Sequence, residues 1–144
     1  MSFIKIWIHI VFSTKDREPL LQKDLRCKLL DHITQNCKDK GIFLKAINGY
    51  SDHIHCLISL GKDQNIGKIV QLIKGESSFW INQNNFVKDR FNWQDDYFAV
   101  SVSESKLQSV ITYIDNQESH HAKKSFSDEV DEFMDKYGWQ MSAT

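Results

Sequence analysis

Two histidines one residue apart, His53 and His55, open the run His53-Ile54-His55-Cys56-Leu57-Ile58-Ser59-Leu60. The run reads as a β-strand. Side chains alternate along a strand, so Ile54, Cys56, Ile58 and Leu60 make an apolar row while both imidazoles fall on the other face. Two rings pointing the same way are placed to share one metal ion. The pair alone also fits two surface histidines. A second feature lies about sixty residues further on. Leu107, Val110, Ile111 and Ile114 form a helical i, i+3, i+4, i+7 stripe. Tyr113 and Gln117 are four apart and share a face, with Lys106 near it. At about 100° per residue, Tyr113 sits roughly 100° from the stripe's centre, on the flank of the helix. A flank tyrosine either packs its ring and wets its hydroxyl or presents that hydroxyl as a nucleophile.

These residues need elements to position them. Phe3 to Phe12 reads as a first strand, with Ile4, Ile6, Ile8, Ile10 and Phe12 on an apolar row and Lys5, Trp7 and His9 on a mixed one. Pro19 opens a helical stretch carrying Leu21, Leu25, Leu29, Leu30 and Ile33, and Gly41 stops it. Ile42 to Ile47 is a short strand, Asn48-Gly49-Tyr50-Ser51 a hairpin turn, and His53 to Leu60 the returning strand. A second helix runs from Ile66 to Asn82, weakened at Gly75. Residues 83–96 read as a loop, Tyr97 to Val102 as a strand, and a third helix begins near Ser103 or Ser105. The order β-α-β-β-α-β is ferredoxin-like: an α+β fold with an antiparallel sheet, helices on one face and an added C-terminal helix. The other face is expected to be open to solvent, ligand or a partner subunit.

The sequence here reaches a known family. Asp52-His53-Ile54-His55 followed by Tyr113-Ile114-Asp115-Asn116-Gln117 resembles the single-tyrosine HUH transposases of small bacterial insertion sequences. The resemblance covers nearly the whole chain. It includes the Ile-Trp-Ile-His-Ile-Val-Phe start, the Asn48-Gly49 turn, the segment Phe91-Asn92-Trp93-Gln94-Asp95-Asp96-Tyr97, and Glu118 after Gln117. It implies a metal-dependent transposase in which Tyr113 attacks a phosphate of single-stranded DNA, leaving a 5′-phosphotyrosine and a free 3′-hydroxyl. It also implies that His53, His55 and Gln117 hold Mg²⁺ or Mn²⁺, and that a homodimer recognises hairpin DNA, in many members with the tyrosine helix supplied by the partner. The chemistry suits these residue types. A phenol can attack and later leave, so a strand can be rejoined. Its ordinary pKa of about 10 makes it a weak nucleophile until a cation favours the phenolate. Asp52 is placed to orient a ligand histidine.

Other features point less sharply. Trp80, Phe86, Trp93 and Tyr97 interleave with Lys74, Lys88 and Arg90, a pattern that suits stacking on and holding a nucleic-acid strand but equally a core or interface. Lys74 beside Gly75 is a candidate phosphate contact. His9 is expected to pack, His120 and His121 to be solvated tail residues, and Trp7 to help cover a subunit interface.

Net charge is −1, yet residues 1–60 carry nine Lys and Arg against six Asp and Glu, and residues 113–144 three against seven. A basic body with an acidic tail can still hold a phosphate chain. The 144 residues are read as one domain whose acidic, helical tail starts at about 122. No apolar run approaches the roughly 18 residues of a membrane span. Cys27, Cys37 and Cys56 lack metal spacing and leave one unpaired, which points to the cytoplasm. Two alternatives compete with the transposase. A non-catalytic nucleic-acid-binding ferredoxin-like module would be expected to show the aromatic strand motif of an RNA-recognition sheet, and none is present. A metal hydrolase using water would not need Tyr113.

Overall fold

A computed structural model describes residues 1–121 and 123–137. Its elements are strand β1 (Trp7–Ser13), helix α1 (Lys23–Asp39), β2 (Phe43–Gly49), β3 (His53–Ser59), α2 (Ile66–Gln83), β4 (Phe98–Val102), α3 (Leu107–Asp115), α4 (Gln117–His121) and α5 (Phe126–Tyr137). The four strands pair in the order β2-β3-β1-β4, all antiparallel. This is the expected ferredoxin-like sheet. The end of the acidic tail, 138–144, lies outside the described residues. Among the described residues no helix is long and apolar enough to cross a membrane.

The apolar rows set one face. Ile8, Ile10 and Phe12 of β1 stand opposite Ile58, Cys56 and Ile54 of β3. They form one cluster with Leu25, Leu29 and Ile33 of α1 and with Ile69, Val70 and Ile73 of α2. The loop before β4 feeds the same core. Phe91 and Trp93 are buried, and the Trp93 indole donates to Ser77 Oγ at 2.9 Å. Trp93 is therefore a core residue, not a stacking platform. Gly41 sits at φ +73°, the left-handed cap that ends α1.

The other face departs from expectation. It is not open: α3, α4 and α5 of the same chain lie over it. The α3 stripe packs on Trp7 and Leu57, and Val11 packs against Phe126. Strand β1 is buried along its whole length because helices cover both its faces. Trp7 is buried and its indole donates to Glu104 Oε2 at 2.7 Å, so it serves this chain's own core and is not an exposed interface residue. Residues 3–6 precede the strand, and Ile4 and Ile6 are exposed instead of continuing its apolar row. The strand begins where pairing partners begin: Trp7 faces both Ser59 and Val102.

One backbone approach fixes the histidine strand. A Cβ added at Gly49 would lie 2.3 Å from the carbonyl oxygen of His53. That overlap is with backbone, which cannot turn aside as a side chain can. Gly49→Ala is expected to lower unfolding free energy by about 1–3 kcal/mol. Urea unfolding followed by circular dichroism checks this, and an unchanged midpoint would show that the turn relaxes freely.

Candidate active site and metal centre

The site is built on the odd row of β1 and β3. His53 and His55 project from β3 towards α3–α5, and His9 projects beside them from β1. All three are buried. Helix α3 ends at Asp115, its last carbonyl held by Asn48 Nδ2 at 3.1 Å, and α4 starts at Gln117. The chain therefore breaks between Tyr113 and Gln117, yet both side chains still face the histidines. Gln117 is fully buried, with Oε1 3.0 Å from His53 Nε2. Its amide nitrogen faces the Tyr113 carbonyl at 3.4 Å, which directs the oxygen towards the ring.

Two residues that the sequence reading left out complete the site. Glu129 of α5 is fully buried in its middle. Its Oε1 lies 2.9 Å from His55 Nε2 and 3.8 Å from His53 Nε2, and its Oε2 lies 3.0 Å from the Nε2 atoms of both His120 and His121. The Tyr113 hydroxyl donates to Oε2. His121 is thus not a solvated tail residue: its side chain is almost wholly buried, stacked on Tyr50 at 5.4 Å and edge-on to His53 at 4.5 Å. His120 is partly buried and edge-on to Tyr113. The tail turns inward because Phe126 stacks on the His53 ring at 4.1 Å, and Glu129 comes one turn later on the same helix face. An acidic residue flanked by Phe126 and Val130 was the available signal, hidden by the acidity of the whole tail.

The outer ring nitrogens decide what the inner ones can do. His53 Nδ1 meets Asp52 Oδ1 at 2.8 Å, and His121 Nδ1 meets the Lys124 carbonyl at 2.6 Å. Those oxygens only accept, so each Nδ1 carries a proton and each ring turns Nε2 inward. His55 Nδ1 shares one proton with His9 Nε2 at 2.9 Å. Burial, then the charge of neighbouring His55, lowers His9 to a pKa of about 3, against the pull of Glu129. Burial likewise lowers His55 to about 4, although Glu129 opposes it. Both rings are neutral near pH 7. Burial resists ionisation of Glu129, but its contacts with His121 and His55 outweigh this and hold the carboxyl well below its usual range. Burial and the hydrogen bond to Glu129 raise the Tyr113 phenol above its usual value.

Imidazole nitrogens, a carboxylate and an amide oxygen therefore converge in one buried place. The Nε2 atoms of His120 and His121 are buried and lack a well-aligned hydrogen-bond partner, although Glu129 is close. Ligand atoms of His53, His55, His121 and Glu129 all lie within 4.8 Å of one another. This donor set fits a divalent cation, and the outer hydrogen bonds are those that orient metal-bound imidazoles. Asp52 and His9 supply two of them.

The weaker candidates lie elsewhere. The Lys74 ammonium donates to the carbonyls of Gln94 and Asp95 at 2.5 and 3.0 Å, so it ties α2 to the following loop. Lys88 and Arg90 are exposed on that loop. Trp80 stacks on His32 at 4.2 Å, with Phe86 tilted against it.

Residues 2–117 match the sequence profile of a family described as transposase, IS200-like. No curated protein gives a significant match. Among solved structures, a candidate transposase from Deinococcus radiodurans R1 is similar at a TM-score of 0.66 and 24% identity, over 81% of this chain and 93% of that one. A REP-associated tyrosine transposase bound to a REP hairpin is similar at a TM-score of 0.63 and 17% identity, over 100% of this chain and 91% of that one. At these identities the likeness is one of fold. The matched family segment ends at Gln117, so His121 and Glu129 lie beyond it.

Removing an outer hydrogen bond should weaken the centre without emptying it. Asp52→Ala is expected to lower Mn²⁺ affinity about 10–100-fold, while His55→Ala removes a ligand and lowers it further. Isothermal titration with Mn²⁺ measures both. Equal affinity in Asp52→Ala and the unaltered protein would show that His53 needs no anchor.

Proposed function

The chain belongs to the family of IS200-like transposases, and from that premise we propose that it cuts and rejoins single-stranded DNA, with Tyr113 as nucleophile and a 5′-phosphotyrosine intermediate. The observation that carries this reading is the place of the Tyr113 hydroxyl. It lies against a buried cluster of inward-facing imidazole nitrogens, with the Glu129 carboxylate between the two. A carboxylate there marks where an anionic oxygen is held, and a scissile phosphate presents such an oxygen.

His53 and His55 would hold the metal. Gln117, as the resemblance implies, and His121 and Glu129, as the geometry suggests, supply the further donors. Three imidazoles and a carboxylate are a more borderline set than Mg²⁺ prefers, so Mn²⁺ suits it better of the two. A divalent ion there supplies Lewis-acid neutralisation of charge on the phosphate. The chain's own residues do the rest. Helix α3 carries Tyr113 on the side that faces the rings, and Glu129 accepts the phenol's hydrogen bond until a phosphate oxygen takes its place. Attack makes the bond from tyrosine oxygen to phosphorus and breaks the bond from phosphorus to O3′. The phenol gives up one proton and O3′ takes up one, so the released oxygen leaves as a 3′-hydroxyl with no net change in protons. Because phenol and alcohol exchange places, the reverse step rejoins strands without water.

The hairpin bound by the REP-associated relative supports hairpin DNA as the recognised partner. The exposed Lys88 and Arg90 remain candidate backbone contacts, whereas Lys74 is occupied by loop carbonyls. A homodimer is retained from the family resemblance. Tyr113 sits with its own chain's histidines, so an exchange of helices is not required to assemble this site. The fold unit is taken as residues 1–144, with α5 as part of the site, and the compartment as the cytoplasm.

Tyr113→Phe is expected to abolish the covalent protein–DNA band formed with hairpin-bearing single strands and Mn²⁺. The hydroxyl bonds a buried carboxylate, so the change should also cost about 1–3 kcal/mol of stability, and circular dichroism should still show a folded protein. Cleavage that survives in the folded variant would favour a water-using hydrolase. Peptide mapping of the adduct to Tyr50 or Tyr97 would move the nucleophile.

A further inference from the structure

A cleft of about 700 Å³ leads to the nucleophile from one side. Its floor is the histidine face of β4, where Val100 and Val102 lie opposite His9 and Trp7. Its wall is one side of α3 and the turn before it, bearing Lys106, Ser109 and Tyr113, and His120 closes the inner end. Strand β4 is the edge of the sheet, so the cleft runs along an edge that no other described strand pairs with. The cleft borders the candidate metal cluster through His9 and His120 and opens on the same phenol.

The charges in the cleft are sorted. Glu132 is paired with Lys124, and Glu104 is held by Trp7 and by Lys5 at 3.3 Å. Lys106, exposed at the mouth, has no carboxylate partner among the described residues. Lys106, at the N-cap of α3, and Tyr113 within it are seven residues apart, which places them on one side and roughly 10 Å apart along the helix axis. A phosphate at Lys106 is then a neighbour of the one at Tyr113, not the same one.

We infer that this cleft is the path of the single strand, with Lys106 holding a phosphate that flanks the one Tyr113 attacks. This rests on the reading of Tyr113 as a DNA nucleophile. A basic group at the mouth, hydroxyls on one wall and an apolar floor form a groove that tracks a sugar–phosphate chain and accepts base or sugar faces without reading sequence. The strand is taken as single because the chemistry proposed at Tyr113 acts on single-stranded DNA.

The test separates the path from the chemistry. In a Tyr113→Phe background, which cannot cleave, binding of a fluorescent single-stranded oligonucleotide is followed by anisotropy from low to moderate salt. Adding Lys106→Ala should reduce the slope of log K against log salt by about 0.7, the value of one single-strand phosphate contact. Lys38→Ala, exposed on α1 over the opposite sheet face, should leave the slope unchanged. With Tyr113 present, Lys106→Glu should raise KM for cleavage about tenfold and leave kcat within about twofold, since a flanking contact is equal in ground and transition states. Ser109→Trp should block adduct formation by filling the cleft. An unchanged slope and KM in the Lys106 variants would overturn the path while wild-type adduct formation kept the function standing. An equal loss of duplex binding would also overturn it, by making Lys106 a duplex contact. Loss of the wild-type adduct with the slope change intact would instead sink the nucleophile.

Discussion

A fully buried carboxylate faced by imidazole nitrogens is the constraint on which this molecule turns. Glu129 is shut off from bulk solvent, and two nearby rings, His53 and His121, each direct an Nδ1 proton outward. Acceptors pressed together in a low-dielectric interior repel unless a cation or extra protons lie among them. The cluster is therefore costly as a structural element and coherent as a metal centre. The same carboxylate also holds the Tyr113 hydroxyl, so the candidate metal cluster and the proposed nucleophile form one hydrogen-bonded unit.

The scaffold makes that unit rigid. His53 and His55 sit on a strand paired on both sides, and their neighbours Ile54 and Cys56 are locked in the opposite core. Arg26 links three parts of the frame. It donates to the Leu21 carbonyl at 2.7 Å and to Glu118 of α4 at 2.8 Å, and it lies over the Tyr50 ring. Tyr50 in turn stacks on His121. Buried, hydrogen-bonded and paired, this arginine holds α4 against α1 and the hairpin turn. Sites built on packed elements keep their geometry better than sites on free loops.

Charge is distributed to match. A protein of net charge −1 is a poor candidate for a phosphate binder by its total alone. The acidic tail does not merely dilute the basic body, however: one of its carboxylates lies in the metal cluster, and another, Glu132, is paired with Lys124.

Much of the fold was legible in the sequence because it rests on local signals. Alternation marked β1 and β3, helical spacing marked the core faces of α1, α2 and α3, and Gly41 marked a helix end that backbone geometry demands. Asn48 and Gly49, by contrast, expected in the hairpin turn, pair in β2 and leave the turn to residues 50–52. His53 and His55 could be placed on one face because strand periodicity requires it, and Tyr113 with Gln117 because one helical turn does. The cover of the histidine face could not be read. It depends on Phe126 finding the His53 ring across more than seventy residues of chain, a contact that leaves no period in the sequence. An acidic helix reads as solvated because most carboxylates are. Glu129 is the exception only because tertiary packing brings it within about 3 Å of three imidazoles, those of His55, His120 and His121. The sequence by itself determined which side chains could do chemistry and which faces they share. The tertiary structure decided which of them meet, since the pairing of distant elements is set by packing and desolvation and not by spacing along the chain.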